Sequence, residues 1–384
     1  MSTASIQGSD QDSSQGSGQS PDRPYWVTWS KLPHIGPIRL QRLWKHFGSL
    51  EAAWRADSGA LLEVEGVGLG TAMEIEAQRS RFDPQACYAA YAQQNLAFWT
   101  PADAGYPRLL LEIPDPPPML HYRGRVEPAE SQGQTLTVAI VGTRRPTEYG
   151  RRWTHRISRA LAQAGVTIVS GLAEGVDAIA HRSCLEAGGR TLAVMGTGVD
   201  VIYPWSNRSL ARQVTEQGLL LSEYPAGTQP DRAQFPRRNR IIAGLSRAVL
   251  ILEAPQKSGA LITARVANDY ARDVYALPGS VESKASRGCL ELISQGASLI
   301  LDEPSLLEAV GAMPTLGRPE PAPAPPDLPP DLAQVLDAVK DDPRLLDQIA
   351  AQTSLGTGTI LSALAQLEMM DLVRQLPGMR YQRC

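Results

Sequence analysis

Cysteine is scarce: Cys87, Cys184, Cys289 and Cys384 are the four in 384 residues, and no two stand at a short paired spacing. They supply neither a disulfide framework nor a zinc site, and a reducing cytoplasm is the expected compartment. Long apolar runs are missing too. No stretch approaches the roughly 18 to 20 residues that a membrane helix needs, and no basic flank precedes an apolar leader, so neither insertion nor export is expected. The chain also lacks a G-x-x-x-x-G-K-[ST] loop for ATP, an H-E-x-x-H pair and a G-x-S-x-G elbow. No Cys/His cluster offers a metal site, and no nucleophile stands beside an evident base. Net charge is only −3, so cationic surface has to be local. What is plentiful is core: 43% of residues are hydrophobic, and the length exceeds one ordinary compact domain, so two or three are expected.

Local charge is found at Asp231–Arg247, DRAQFPRRNRIIAGLSR, where Arg232, Arg237, Arg238, Arg240 and Arg247 surround one aromatic, Phe235. Guanidinium forks suit phosphate oxygens, and an aromatic face among them suits a nucleobase, which points to single-stranded nucleic acid. A solvated basic helix face with one core Phe is the alternative.

Residues 1–24 are rich in Ser, Gln, Gly and Asp and are expected to form a disordered tail. A proline-rich spacer is expected at 313–330. Between them, 25–122 has helical spacing with two similar passages, LPHIGPIRLQRLW and VEGVGLGTAMEIE, that look like helix-hairpin-helix units. The second carries Gly66 and Gly68; the first has His34 where a glycine is expected. A structural or protein-binding role competes with weak DNA contact there. Residues 130–312 alternate short Val/Ile/Leu runs with helical stretches, and strands are expected at LTVAIV, VTIVS, TLAVM, LLLSE, AVLILE, DVYAL and ASLIL. The fold class is therefore α/β, an extended Rossmann-like core with a parallel sheet covered on both faces. Residues 331–384 outline a small winged helix whose would-be recognition helix, Thr357 to Met370, has no Lys or Arg; Arg374, Arg380 and Arg383 lie on the wing.

Ligands of such sheets sit beyond the carboxyl ends of the strands. The first strand leads into VGTRRPTEYGRRW, where Gly142 frees the turn and Arg144, Arg145, Arg151 and Arg152 approach a helix N-terminus suited to a phosphate. The second leads into SGLAEGVDAIAH, with Ser170 and Gly171 as donors and Gly175 allowing close approach to a ligand. Asp177 and His181 there could form an acid-base pair, or Asp177 could simply stabilise its helix. MGTGVD after the third strand lacks the third glycine of a dinucleotide loop. Lys257, Ser258 and Gly259 begin a further helix after the fifth. Each loop could serve only to join strand to helix, yet their convergence favours a polyanion of several nucleotides.

In order, VGTRRPTEYG, SGLAEGVDAIAH, VMGTGVDVIYPWSN, SEYPAG, FPRRNRIIAGLS, EAPQKSGALITA and ALPGS make the middle segment resemble the DNA-processing protein A (DprA) family, also called Smf. The resemblance implies a single-stranded DNA binder that protects incoming strands in natural transformation, loads RecA recombinase, and forms a homodimer. No catalytic residue, cofactor or metal is expected. Carried over, the DNA site comprises Gly142, Thr143, Arg144 and Arg145; Ser170, Gly171, Ala173 and Gly175; Arg232, Phe235, Arg237, Arg238, Asn239 and Arg240; and Lys257, Ser258 and Gly259. Some of the dense arginine run is expected to be structural. The N-terminal helices resemble the sterile-alpha-motif or hairpin-helix domain of many members. A nucleotide-processing enzyme of the phosphoribohydrolase kind, using Glu174, Asp177 or Glu223, is the alternative.

Overall fold

The computed structural model describes residues 20–95, 97–312, 328–340, 344–370, 372–376 and 378–383. Most of the expected tail and of the proline-rich spacer lies outside the described residues. The chain divides into two compact units, Met1–Thr315 and Leu316–Cys384.

The first unit is built on a nine-stranded sheet: β1 (Phe98–Trp99), β2 (Leu120–Gly124), β3 (Thr137–Val141), β4 (Thr167–Ser170), β5 (Thr191–Val194), β6 (Leu219–Ser222), β7 (Ala248–Ile251), β8 (Asp273–Ala276) and β9 (Ser298–Leu299). Their order is β1-β2-β6-β5-β4-β3-β7-β8-β9. From β6 to β9 every neighbouring pair is parallel. The chain runs outward from β3 through β4 and β5 to β6, then returns to β7 on the other side of β3. That reversal leaves a crevice between the carboxyl ends of β3 and β7.

Strand alternation sets the two faces. Ala139 and Val141 pack with Ile241, Ile242, Ala260 and Ala264 from helices Gln234–Gly244 and Gly259–Asp269. Val138 and Ile140 pack with Ile157, Leu161 and Ala180 from helices Glu148–Gln163 and Val176–Glu186. Successive side chains thus enter opposite cores, which explains why the strands read as unbroken apolar runs.

Strands β1 and β2 arise within the stretch read from sequence as wholly helical. They are short and antiparallel, and β2 pairs with β6 through His121↔Ser222 to Gly124↔Leu219. Sheet structure therefore begins at Phe98, well before the expected boundary.

The preceding helices enclose Trp26, Trp29, Leu40, Leu43, Leu50, Leu61 and Ile75. Order also reaches back into the stretch expected as tail: Asp22 and Arg23 are buried, and Arg23 Nε lies 3.1 Å from Asp103 Oδ2. The two hairpins match closely. Gly36 and Gly68 cap their helices at φ −92°, ψ 177° and φ −91°, ψ 172°. His34 adopts φ 63° where Gly66 has φ 84°, so the histidine fills a left-handed position without breaking the motif. Arg39 donates to the carbonyls of both His34 and Gly66, spending a nearby cation inside the domain.

In the second unit, helices Pro330–Ala338, Leu346–Gln352 and Thr357–Met369 pack around Val335, Ile349, Ile360, Leu364 and Leu367. Strands β10 (Arg344–Leu345), β11 (Val373–Leu376) and β12 (Arg380–Arg383) form an antiparallel sheet in the order β10-β12-β11. Arg374, Arg380 and Arg383 are exposed on its last two strands. Among the described residues of the chain, no helix is long and apolar enough to cross a membrane.

Candidate nucleic-acid interface

A crevice of about 730 Å³ opens at the switch point, lined by loops that follow β3, β4, β5, β6 and β7. Gly142, Thr143, Arg144 and Arg145 line it after β3, Ala173 and Asp177 after β4, Arg232, Phe235, Arg238 and Asn239 after β6, and Ser258 and Gly259 after β7. Gly171 borders an adjoining recess with Arg144 and Phe235.

The backbone donors that sequence assigned to phosphate are largely occupied by the protein itself. At the N-terminus of Glu148–Gln163, the Glu253 carboxylate accepts from Thr147 N at 2.8 Å and from Thr147 Oγ1 at 2.7 Å. Glu253 is buried. A helix N-terminus attracts one anion through its free N–H groups and dipole, and here a side chain supplies it. After β4, Asp177 Oδ2 accepts from Gly171 N at 3.1 Å and from Ala173 N at 3.4 Å. Burial raises the Asp177 carboxyl, against the pull of nearby Arg238. Ser258 caps its helix by accepting from Ala260 N.

Two further expectations change. Ser170 is fully buried and donates to Ile140 O at 2.6 Å, so its hydroxyl joins strands. Gly175, at φ 77°, does allow a close approach, but to the backbone of Thr143 and Arg144. Neither residue is in the crevice lining.

The crevice itself offers side-chain charge. Arg144, Arg145 and Arg232 are exposed, and none has an ion pair or side-chain hydrogen bond among the described residues. Phe235, half-buried, lines the same crevice and lies against Gly196. Tyr203 lies 5.5 Å from Phe235 at an interplanar angle of 36°. Unpaired guanidinium groups beside a tilted aromatic pair can hold phosphates and stack bases at once.

The arginine run sorts by its position around the helix. Phe235, Arg238, Asn239 and Ile242 follow an i, i+3, i+4, i+7 pattern and face the crevice. Arg238 is nevertheless 4% exposed and donates to the carbonyls of Gly171 and Val194, bracing two strand ends. Burial pushes its guanidinium down to about 10, and neighbouring Arg144 adds to that. Asn239 donates to Gly259 O at 3.5 Å, linking two loops. Arg240 points away and pairs with Glu223 at 2.5 Å and Asp115 at 3.1 Å. Its expected DNA contact gives way to a structural ion-pair network. Arg237 and Lys257 are exposed outside the crevice lining.

The groups considered for catalysis are scattered. His181 is buried with Nδ1 2.7 Å from Thr191 Oγ1, and no hydrogen bond joins it to Asp177. Glu223 is engaged by Arg240, and Glu174 is exposed beside Ser206.

Residues 97–311 match the profile of the family described as DNA recombination-mediator protein A, and residues 319–379 match the DprA winged helix domain. The chain belongs to the DNA recombination-mediator protein A family. It is 49% identical to Protein Smf of Synechocystis over 94% of this chain and 99% of that one. It is 43% identical to the DNA processing protein DprA of Streptococcus pneumoniae over 52% of this chain and 68% of that protein. The X-ray structure of the Streptococcus pneumoniae protein superposes with TM-score 0.63 and 32% identity, covering 76% of this chain and 98% of that one. DNA processing protein A from Helicobacter pylori, solved to study its single-stranded DNA binding mode, superposes with TM-score 0.50 and 33% identity over 56% and 96%.

In this member of the DNA recombination-mediator protein A family, several crevice residues escaped the sequence reading. Tyr203, Pro255, Ile262 and Thr263 all line it. Tyr203 belongs to the quoted YPWSN motif, but nothing in its local spacing reveals that it meets Phe235, 32 positions later. Ile262, 40% exposed, could have been found by helical spacing, since it stands four residues after the cap Ser258.

Proposed function

We propose that the protein binds single-stranded DNA in the crevice beyond β3 and β7, and that it acts as a homodimer in the cytoplasm to protect strands and load RecA recombinase during natural transformation and recombination. The observation that carries the binding is the set of unpaired Arg144, Arg145 and Arg232 beside the Phe235 and Tyr203 rings. Because Glu253 already takes the N–H of Thr147 and Asp177 those of Gly171 and Ala173, affinity rests mainly on side-chain cations and stacking. The site residues proposed are Gly142, Thr143, Arg144, Arg145, Gly171, Ala173, Arg232, Phe235, Asn239, Ser258 and Gly259, with Arg238 as their brace. Membership of the family supports the recombinase step.

Fluorescence anisotropy of the full chain with labelled oligothymidine tests the first part. Binding that weakens as salt rises is expected, and salt-insensitive binding would contradict a phosphate-tracking crevice. The second part is tested by RecA filament formation on strands already coated with a single-strand binding protein. Acceleration by the parent chain and not by Phe235→Ala is expected; equal rates with and without the protein would remove the loading role. Light scattering reads the oligomeric state.

A further inference from the structure

Just outside the crevice stands Trp205, 69% exposed on the turn Trp205–Asn207. A large indole left in water sacrifices the burial that normally holds tryptophan inside a protein. Its position is nonetheless fixed. Asn207, buried, donates through Nδ2 to Leu172 O at 3.0 Å and Ala173 O at 3.3 Å, so the turn is bolted to the loop that lines the crevice. The Arg208 guanidinium covers the ring at 4.6 Å from its centroid, and Arg208 has no ion pair among the described residues. The indole is therefore held by a cation on one side and solvated on the other. Two residues earlier, Tyr203 is part of the crevice wall, which puts the two Cα atoms within about 7 Å of each other. One acid is close: Glu174 accepts from Ser206 Oγ at 3.4 Å, across the turn.

We infer that Trp205, backed by Arg208, is an outer stacking platform for one nucleobase of a single strand as it leaves the crevice past Tyr203. This rests on the crevice being the DNA site, and it extends the footprint beyond that site. The sequence of rings Phe235, Tyr203 and Trp205 then carries the strand outward, and Arg208 meets the phosphate beside the outer base. Arg182, also exposed and without an ion pair among the described residues, lies beyond it at the cleft it shares with Ser206 and Ser209.

Oligothymidines of increasing length, titrated against the parent chain, Trp205→Ala, Trp205→Phe, Arg208→Ala and Phe235→Ala, test this. For lengths that reach past the crevice, Trp205→Ala is expected to lose about 5- to 150-fold in affinity. Trp205→Phe should recover most of the loss, Arg208→Ala should lose less, and the shortest bound oligomer should not distinguish Trp205→Ala from the parent. Because the side chain is exposed, thermal unfolding of Trp205→Ala should match the parent, which separates binding from folding. If Trp205→Ala binds every length as the parent does while Phe235→Ala is impaired, the outer platform is wrong and the crevice stands. If neither substitution matters, or the parent binds no strand, both readings fall.

Discussion

Gly175 and Thr143 lie back to back: Val176 N donates to Thr143 O at 3.1 Å, and a methyl group on Gly175 would collide with that same carbonyl. The loops after β3 and β4 are thereby locked together, and Arg144 projects from the locked pair. Gly175→Ala adds the steric conflict to a positive φ that side chains resist, at a cost of about 1–3 kcal/mol. A lowered urea midpoint with weakened strand binding is expected. Parent-like stability would show that the loops yield.

Phe235→Ala should weaken oligothymidine binding by about 1–3 kcal/mol if one base stacks on the ring. Gly196→Ala addresses the same ring from behind, because its Cβ would come 2.7 Å from Phe235 Cδ1 and force the ring to shift. Both variants should therefore impair binding. A binding defect in neither would make the ring a wall only.

Arg144→Ala and Arg232→Ala should each flatten the log-log salt dependence by about 0.7 and weaken all sequences alike. Arg240→Ala should behave differently. Removing it leaves Glu223 and Asp115 without their cation in a poorly solvated place, and breaking such a pair costs about 3–5 kcal/mol of stability. Burial already raises the Glu223 carboxyl, so its protonation would recover part of that loss. Chemical unfolding and binding measured side by side separate the two classes; an Arg240→Ala protein of parent stability with a reduced salt slope would reverse the assignment.

Acid should unfold the protein through its buried histidines. Burial holds His181 down to about 3 and His121 down to about 4, against an ordinary 6.5. Both folded values lie below the unfolded one, so the stability is complete above pH 6.5 and is lost as pH falls toward 4 and 3. Within that window each histidine subtracts about 1.4 kcal/mol per pH unit. Urea midpoints should fall between about pH 7 and about pH 5, and His181→Gln should show a shallower fall. A flat pH profile would place water or mobility around these rings.

The central strands were legible because both of their faces are buried, which leaves unbroken apolar runs such as Val138–Val141, Leu219–Leu221 and Ala248–Ile251. Strands β1 and β2 were not: two and five residues long, among Trp, Pro and Asp, they owe their conformation to distant partners, β2 to β6 and β1 in turn to β2. Arg144, Arg232 and Phe235 could be named from local composition. The fate of Arg238 and Arg240 needed helical phase and distant acids: Phe235, Arg238 and Asn239 fall on one side, whereas Arg240 meets Glu223 and Asp115. The hold of Glu253 on the N-cap residue Thr147 was invisible because that carboxylate arrives from 106 positions away.

Strand β2 also shields β6. A fragment starting near residue 130 would strip Leu120–Gly124 from the sheet and leave the backbone donors and acceptors of Leu219–Ser222 open along one edge. Such an edge, made of three leucines and a serine, is a template for pairing between molecules. The smallest well-behaved piece of the first unit therefore has to include Leu120–Gly124 with its partner Phe98–Trp99, and shorter versions should precipitate whether or not they bind a ligand.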